Sequence, residues 1–171
     1  MDPIRTEKFI LRPLTIDDAT PRYCAWLDDA MASRYIEAAK SAYSIDSLRA
    51  YIRARAQRPD VLFLGIFTHG REEHIGNIKY EPINCKLGYA VMGMLIGERA
   101  WRGKGVAQEV IRHSAAWLQR ACGVREVVLG VARDNVAAIR AYEKAGFRCE
   151  ATAHIRIDPV AGLSMVLHLE G

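Results

Sequence analysis

The stretch 93–107, G-M-L-I-G-E-R-A-W-R-G-K-G-V-A, constrains this chain more than any other. An apolar run ends at Gly97, a charged turn follows, and residues 102–107 open a long helical pattern, which gives strand, glycine-rich turn, helix. Gly103 and Gly105 let the backbone approach a bulky anion without Cβ obstruction, and the helix start beyond them offers unpaired N–H groups at the positive end of its dipole. Such a turn can cradle a diphosphate. It is not a P-loop, because Gly105 rather than Ser or Thr follows Lys104, and it is not the dinucleotide fingerprint, because Gln108 stands where the third glycine would be.

Arg102, Gly105 and Ala107 fit the R/Q-x-x-G-x-G/A signature, and with it the turn resembles the acyl-CoA site of the GNAT superfamily of N-acyltransferases. Residues 132–147, A-R-D-N-V-A-A-I-R-A-Y-E-K-A-G-F, resemble the N-x-x-[A/S]-x-x-x-Y-x-K-x-G-F block that follows the fifth strand in that superfamily. Residues 9–14, F-I-L-R-P-L, are similar to the first strand of its ribosomal-protein and amino-sugar branch.

The resemblance spans nearly the whole chain and implies an α/β (α+β) fold. Its central sheet would be mixed but mostly antiparallel, with about seven strands splayed between the fourth and fifth and helices flanking it. It implies acetyl-CoA as co-substrate with no metal, and transfer of the acetyl group to a primary amine by direct attack in a ternary complex. The cofactor contacts it assigns are Leu95, Ile96 and Gly97 on the fourth strand, Arg102, Gly103, Lys104, Gly105, Val106 and Ala107 at the turn, and Asn135, Ala138 and Tyr142 on the last helix.

With 171 residues, half of them hydrophobic, the chain can build one substantial core and is short for two, so residues 1–171 are expected to form a single domain. The net charge of +4 is spread, with ten basic and nine acidic side chains in residues 1–60, and no Lys/Arg run marks a nucleic-acid stripe. Cys24, Cys85, Cys122 and Cys149 lie far apart without metal-ligand spacing, which points to reduced structural thiols. The N-terminus lacks a secretory apolar segment and no stretch is long and apolar enough to span a bilayer, so a soluble cytoplasmic protein that binds neither membrane nor nucleic acid is expected.

In chain order, residues 7–14 read as a strand ended by Pro13, and Thr15 caps a helix whose face carries Ala19, Tyr23, Trp26 and Leu27. A short helical piece is expected around 30–38, and a clearer one from Ser44 to about Gln57. The run 61–68 reads as a central strand, followed by a hairpin partner over 74–81 with a bulge near Gly76. Residues 87–97 form the fourth strand, where Gly88, Gly93 and Gly97 admit a bulge or a close backbone approach. A helix over 106–121, a strand over 125–131 and a helix over 135–145 follow, and 147–157 and 163–169 are expected as a closing antiparallel pair.

Amide formation from a thioester needs a neutral amine, a polarised carbonyl and a proton for the departing thiolate. The backbone at 95–97 is the place for an N–H that polarises the carbonyl. Tyr142 occupies the family position facing the sulfur, and a phenol stays protonated at neutral pH; spacing alone also suits a packing aromatic. Glu81, Glu98 and His74 are candidates for the base, with a water chain as the alternative.

The acceptor is expected to be a small-molecule or peptide amine, and a homodimer stays open. A nucleotide-linked amino sugar is favoured over a protein N-terminus, because Arg53, Arg55 and Arg58 can meet an anionic acceptor, although they also suit a solvated face. A non-catalytic acyl-CoA-binding module is the alternative from another class.

Overall fold

The computed structural model describes residues 1–28 and 44–170. The helical piece expected around 30–38 lies outside the described residues. Eight strands form one sheet: β1 (Ile4–Arg5), β2 (Phe9–Pro13), β3 (Leu62–Thr68), β4 (His74–Asn84), β5 (Tyr89–Ile96), β6 (Glu126–Ala132), β7 (Arg148–Cys149) and β8 (Gly162–His168). Their order is β1-β2-β3-β4-β5-β6-β8-β7, antiparallel throughout except for β5 and β6. The helices are α1 (Pro21–Asp28), α2 (Ile45–Ala56), α3 (Val106–Cys122) and α4 (Val136–Lys144).

Strand alternation divides the apolar side chains between two cores. Leu64, Ile66, Ile78 and Tyr80 join Val110, Ile111, Ala115 and Leu118 of α3 on one face, with α4 packed alongside through Ile139 and Tyr142. Phe67 and Leu95 face the other way, against Tyr23, Trp26 and Leu27 of α1 and Leu48 and Ile52 of α2. Inside the first core the Tyr80 hydroxyl and Ser114 Oγ lie 2.8 Å apart, and Ser114 also donates to the Val110 carbonyl at 2.7 Å. Both hydroxyls are fully buried, so each needs the other, and the pair fixes α3 over β4.

The parallel ladder between β5 and β6 runs only from Tyr89↔Glu126 to Val91↔Val128, whereas β5 stays paired with β4 out to Gly76↔Ile96. Beyond Val91 the two strands part, which is the splay the sequence led us to expect, and the bulge expected near Gly76 lies where the β3–β4 register shifts.

Three expectations change. Thr15 caps a single 3-10 turn, Ile16–Asp18, and α1 begins only at Pro21, because proline lacks an N–H and disfavours helical backbone before it. The short β1 makes eight strands where about seven were expected. The strand expected over 147–157 is only Arg148–Cys149. Its ladder fails beyond Glu150, where the chain turns so that Ile155 and Ile157 pack over Gly130 instead of extending the sheet.

Gly93 in β5 and Gly97 just past its end differ in what surrounds them. A Cβ on Gly97 would sit 2.0 Å from Trp26 Cδ2, but one on Gly93 meets nothing within 4 Å. Gly97→Ala should therefore push α1 off the sheet and lower unfolding stability by roughly 1–3 kcal/mol, the usual cost of overpacking, while Gly93→Ala leaves stability unchanged or slightly higher. Urea unfolding curves of the two variants with equal midpoints would contradict this packing.

Candidate active site

Where β5 and β6 part, a cavity of about 1090 Å3 opens through the sheet. Its far lobe is walled by β6, α4 and the glycine turn, through Val131, Asn135, Tyr142 and Gly105, and its near lobe by α1, α2 and the face of β4 and β5, through Tyr23, Tyr51, Arg55 and Lys79.

The turn has the geometry its glycines require. Gly103 and Gly105 have φ of +72° and +79°, a left-handed backbone that β-carbons disfavour, and nothing hinders a Cβ closely at either, so it is conformation rather than space that asks for glycine. Gly105 is the N-cap of α3 and its carbonyl takes the first helical bond from the Glu109 N–H, so the N–H groups of residues 105–108 have no partner within the helix. The Arg102 guanidinium donates to the Ile96 carbonyl at 3.0 Å and the Gly97 carbonyl at 3.2 Å, tying the turn to the end of β5. Asn135 caps α4, its Oδ1 accepting from the Ala138 N–H at 3.2 Å.

Of the expected cofactor residues, Leu95, Ile96, Arg102, Gly103, Gly105, Val106, Ala107, Asn135, Ala138 and Tyr142 all line the cavity. Gly97 and Lys104 do not: Gly97 lies under the Trp26 indole, and the Lys104 ammonium sits 5.7 Å from the Trp101 ring centroid. Tyr142 stands on the far wall, 5.8 Å from Phe147 between ring centroids, and burial pushes its phenol up to about 12. It is therefore protonated throughout the physiological range.

The three candidate bases have separate surroundings. Glu81 lines the near lobe, where Lys79 Nζ lies 2.7 Å and Arg55 Nε 3.0 Å from its Oε2, with Arg58 on Oε1. Burial would raise its pKa, but the hydrogen bond from Lys79 and the charges of Lys79, Arg55 and Arg58 outweigh that and hold it below the usual carboxylate range. Glu98 is outside the cavity and accepts from Arg22 Nε at 2.6 Å and Trp26 Nε1 at 2.9 Å, and the Arg22 hydrogen bond above all keeps it low. His74 stacks on Phe67 at 4.7 Å, edge-on to Tyr23 and Trp26, beneath α1 rather than in the cavity. Burial lowers it to about 4.

Sequence reasoning missed Asn77, Lys79 and Tyr51. Asn77, Lys79 and Glu81 occupy alternate positions of β4 and share one face, so two-residue periodicity from Glu81 could have found the first two. Tyr51 receives Lys79 Nζ on its hydroxyl at 2.9 Å and carries the Arg55 guanidinium 3.4 Å above its ring, a contact between α2 and β4 with no local sequence signal. Of the three arginines, Arg55 reaches the lobe and Arg58 reaches Glu81, while Arg53 is exposed.

A buried histidine with a lowered pKa binds its proton in the unfolded chain first. Above pH 6.5 both states are neutral and nothing is lost; between pH 6.5 and about 4 the unfolded state gains a proton that the folded state refuses, so stability falls. We expect His74→Phe to lose less stability than the wild type across that window, by up to roughly 3 kcal/mol. Parallel pH profiles in urea unfolding would contradict the buried neutral imidazole.

The overall fold agrees with comparisons to known proteins. The chain is 27% identical over 124 residues to the probable N-acetyltransferase YjcK of Bacillus subtilis, covering 69% of this chain and 68% of that protein. Its fold is similar to that of RimL, a ribosomal L7/L12 α-N-protein acetyltransferase solved with coenzyme A, at a TM-score of 0.83, 15% identity and 98% coverage of both chains. It is also similar to spermidine N-acetyltransferase from Vibrio cholerae, solved with CoA and spermine, at a TM-score of 0.77, 19% identity, and 94% and 95% coverage. Residues 8–148 match the acetyltransferase (GNAT) domain family, and the chain belongs to it.

Proposed function

We propose that this protein transfers an acetyl group from acetyl-CoA to a primary amine in a ternary complex, and that the acceptor is an amino sugar, favoured in its nucleotide-linked form. The observation that carries the reading is the single cavity joining the glycine turn to the Tyr51–Lys79 lobe through the β5–β6 gap. One substrate can enter from each side and the two can meet at Leu95.

The residues present fit the co-substrate. The left-handed turn at Gly103 and Gly105 and the start of α3 supply N–H donors and a positive dipole end for a diphosphate. Where β6 has withdrawn, the β5 backbone over 92–96 can hydrogen-bond an extended amide-bearing arm. Acetyl-CoA, when bound, supplies an acetyl thioester whose carbonyl an amine can attack directly. Around that carbonyl, β5 N–H groups near Leu95 would polarise the oxygen; the amine nitrogen bonds to the carbonyl carbon as the C–S bond breaks, the Tyr142 hydroxyl gives its proton to the departing sulfur, and the proton that the nitrogen loses returns to the Tyr142 oxygen through water.

Glu81 is a weak proton acceptor in its triple ion pair, so we assign it the role of orienting Lys79 and Arg55. These cations also help the amine to arrive neutral, since nearby positive charge lowers an ammonium's pKa. Glu98 anchors α1 through Arg22 and Trp26.

Release of free CoA thiol is the direct test. Thiol should appear when acetyl-CoA and an amino sugar are both present, and no rate above hydrolysis with any amine in a panel of amino sugars, nucleotide-linked amino sugars and peptide N-termini would overturn the reading.

Gly105→Glu places a side chain and a negative charge in the turn, and acetyl-CoA affinity by calorimetry should fall by about tenfold or more. Gly105→Asn, which tolerates the left-handed backbone, should lose less. Equal affinity in all three proteins would remove the turn from the account.

Tyr142→Phe keeps the ring and removes the proton. Single-turnover rates should drop by roughly 100- to 10,000-fold, with acetyl-CoA binding almost unchanged. A wild-type rate and pH profile would leave Tyr142 as packing only.

A further inference from the structure

Asn77 is only 6% exposed, lines the cavity, and its Nδ2 has no hydrogen-bond partner among the described residues. Leaving a buried amide unpaired is unfavourable, so a donor kept in that state is one whose partner arrives with a ligand. Register places it directly opposite Leu95, where the proposed transfer takes place, and opposite Lys79 lies Gly93, which has no side chain and open space above it. Asn77 and Lys79 are thus the floor of the acceptor lobe. They are alternate residues of one strand, about 7 Å apart.

The charge at the second position is incomplete. Arg55, Arg58 and Lys79 converge on the one carboxylate of Glu81, and Asp60 pairs with Arg58 at 2.7 Å. Three cations against two carboxylates leave the described cluster one positive charge in excess, with Lys79 and Arg55 turned to the cavity. A polycation would be repelled from this wall, and a phosphoryl group would complete it.

We infer that Asn77 and Lys79 form a two-point clamp selecting an amine that carries a phosphoryl group. Asn77 Nδ2 donates to a hydroxyl or ring oxygen beside the amine, and Lys79, steadied by Tyr51 and Glu81 and assisted by Arg55, holds the phosphoryl oxygens. The inference rests on the amine-acetylation reading and narrows it: hexosamine phosphates and nucleotide-linked amino sugars share this chemistry, and linear polyamines lack both features. Asn77 acts by positioning the amine and Lys79 by specificity.

Calorimetry with the CoA-loaded enzyme tests the clamp without turnover, using glucosamine, glucosamine 6-phosphate, a UDP-linked amino sugar and spermidine. The two phosphorylated ligands should bind at least about tenfold more tightly than glucosamine, and spermidine most weakly. The better of the two identifies the source of the phosphoryl group. Lys79→Met should erase the phosphate advantage. Asn77→Leu should weaken glucosamine and glucosamine 6-phosphate by the same factor, about 5- to 30-fold, leaving their ratio and the CoA affinity as in the wild type.

Should Asn77→Leu melt early, Asn77→Ala, which removes the donor without adding charge, gives the same reading. Spermidine binding as tightly as the phosphorylated ligands, no advantage from phosphate, or an advantage that survives Lys79→Met would overturn the inference. Unchanged affinities in both Asn77 variants would overturn it equally. Thiol release from unphosphorylated amines with no phosphate preference would sink the clamp and leave acetyl transfer standing, whereas absence of release with every amine would sink the transfer reading while the binding ratios still decide the clamp.

Discussion

The parting of β5 from β6 after Val91 is the constraint on which the rest of the molecule depends. A sheet that stayed paired there would be continuous from β4 to β8, with no passage between its faces. Once the ladder ends, the β5 backbone has an edge inside the protein, and an internal edge is a hydrogen-bonding surface waiting for an extended partner. Both cores survive the gap: the core under α3 runs on from β2 to β5 into β6 and β8 behind, and α1 and α2 cover Phe67 and Leu95 in front. The opening therefore costs ladder bonds and little apolar burial.

Much of this was legible in the sequence. The glycine turn and the α3 stripe are local, since turn conformation and 3.6-residue periodicity are written in adjacent residues, and so the lining of the far lobe could be named nearly residue by residue. The front lobe could not. Its walls come from α1, α2 and β4, segments separated by up to some fifty positions, and Tyr51, Lys79 and Glu81 meet only through tertiary packing. Glu81 was singled out for its charge, but the three cations that determine its behaviour come from two elements and a loop. His74 and Glu98 likewise read as free titratable groups in sequence, and each lies instead in contact with Trp26. A proline explains the one misplaced helix start, and side-chain packing on Gly130 explains the missing strand.

Electrostatics separates the two lobes by role. In the far lobe burial raises the Tyr142 phenol and leaves it a neutral donor. In the near lobe positive charge dominates, which opposes an ammonium and favours its neutral amine. A reaction that consumes a neutral amine and releases a thiolate asks for this pairing. It needs no strong base, and none of the described carboxylates around the cavity has a raised pKa that would mark one.

Both lobes border on β5. Its open edge faces the far lobe, its face at Gly93 and Leu95 floors the near lobe, and its end is clasped from two directions: Arg102 takes the carbonyls of Ile96 and Gly97, and the Gly97 and Glu98 N–H groups both donate to the Ile75 carbonyl. Glu98, one residue on, holds the Trp26 indole and the Arg22 guanidinium, so α1 is fastened to the same strand end. Reaction rates depend steeply on reacting atoms being held within a few tenths of an ångström of the productive approach. When a single strand references both substrates, a displacement of that strand moves them together and their relative geometry is retained. On the proposed reading a displacement of α1 or α2 would shift only the acceptor, which would make the packing of Trp26 on Gly97 the contact that keeps the amine in line with the thioester.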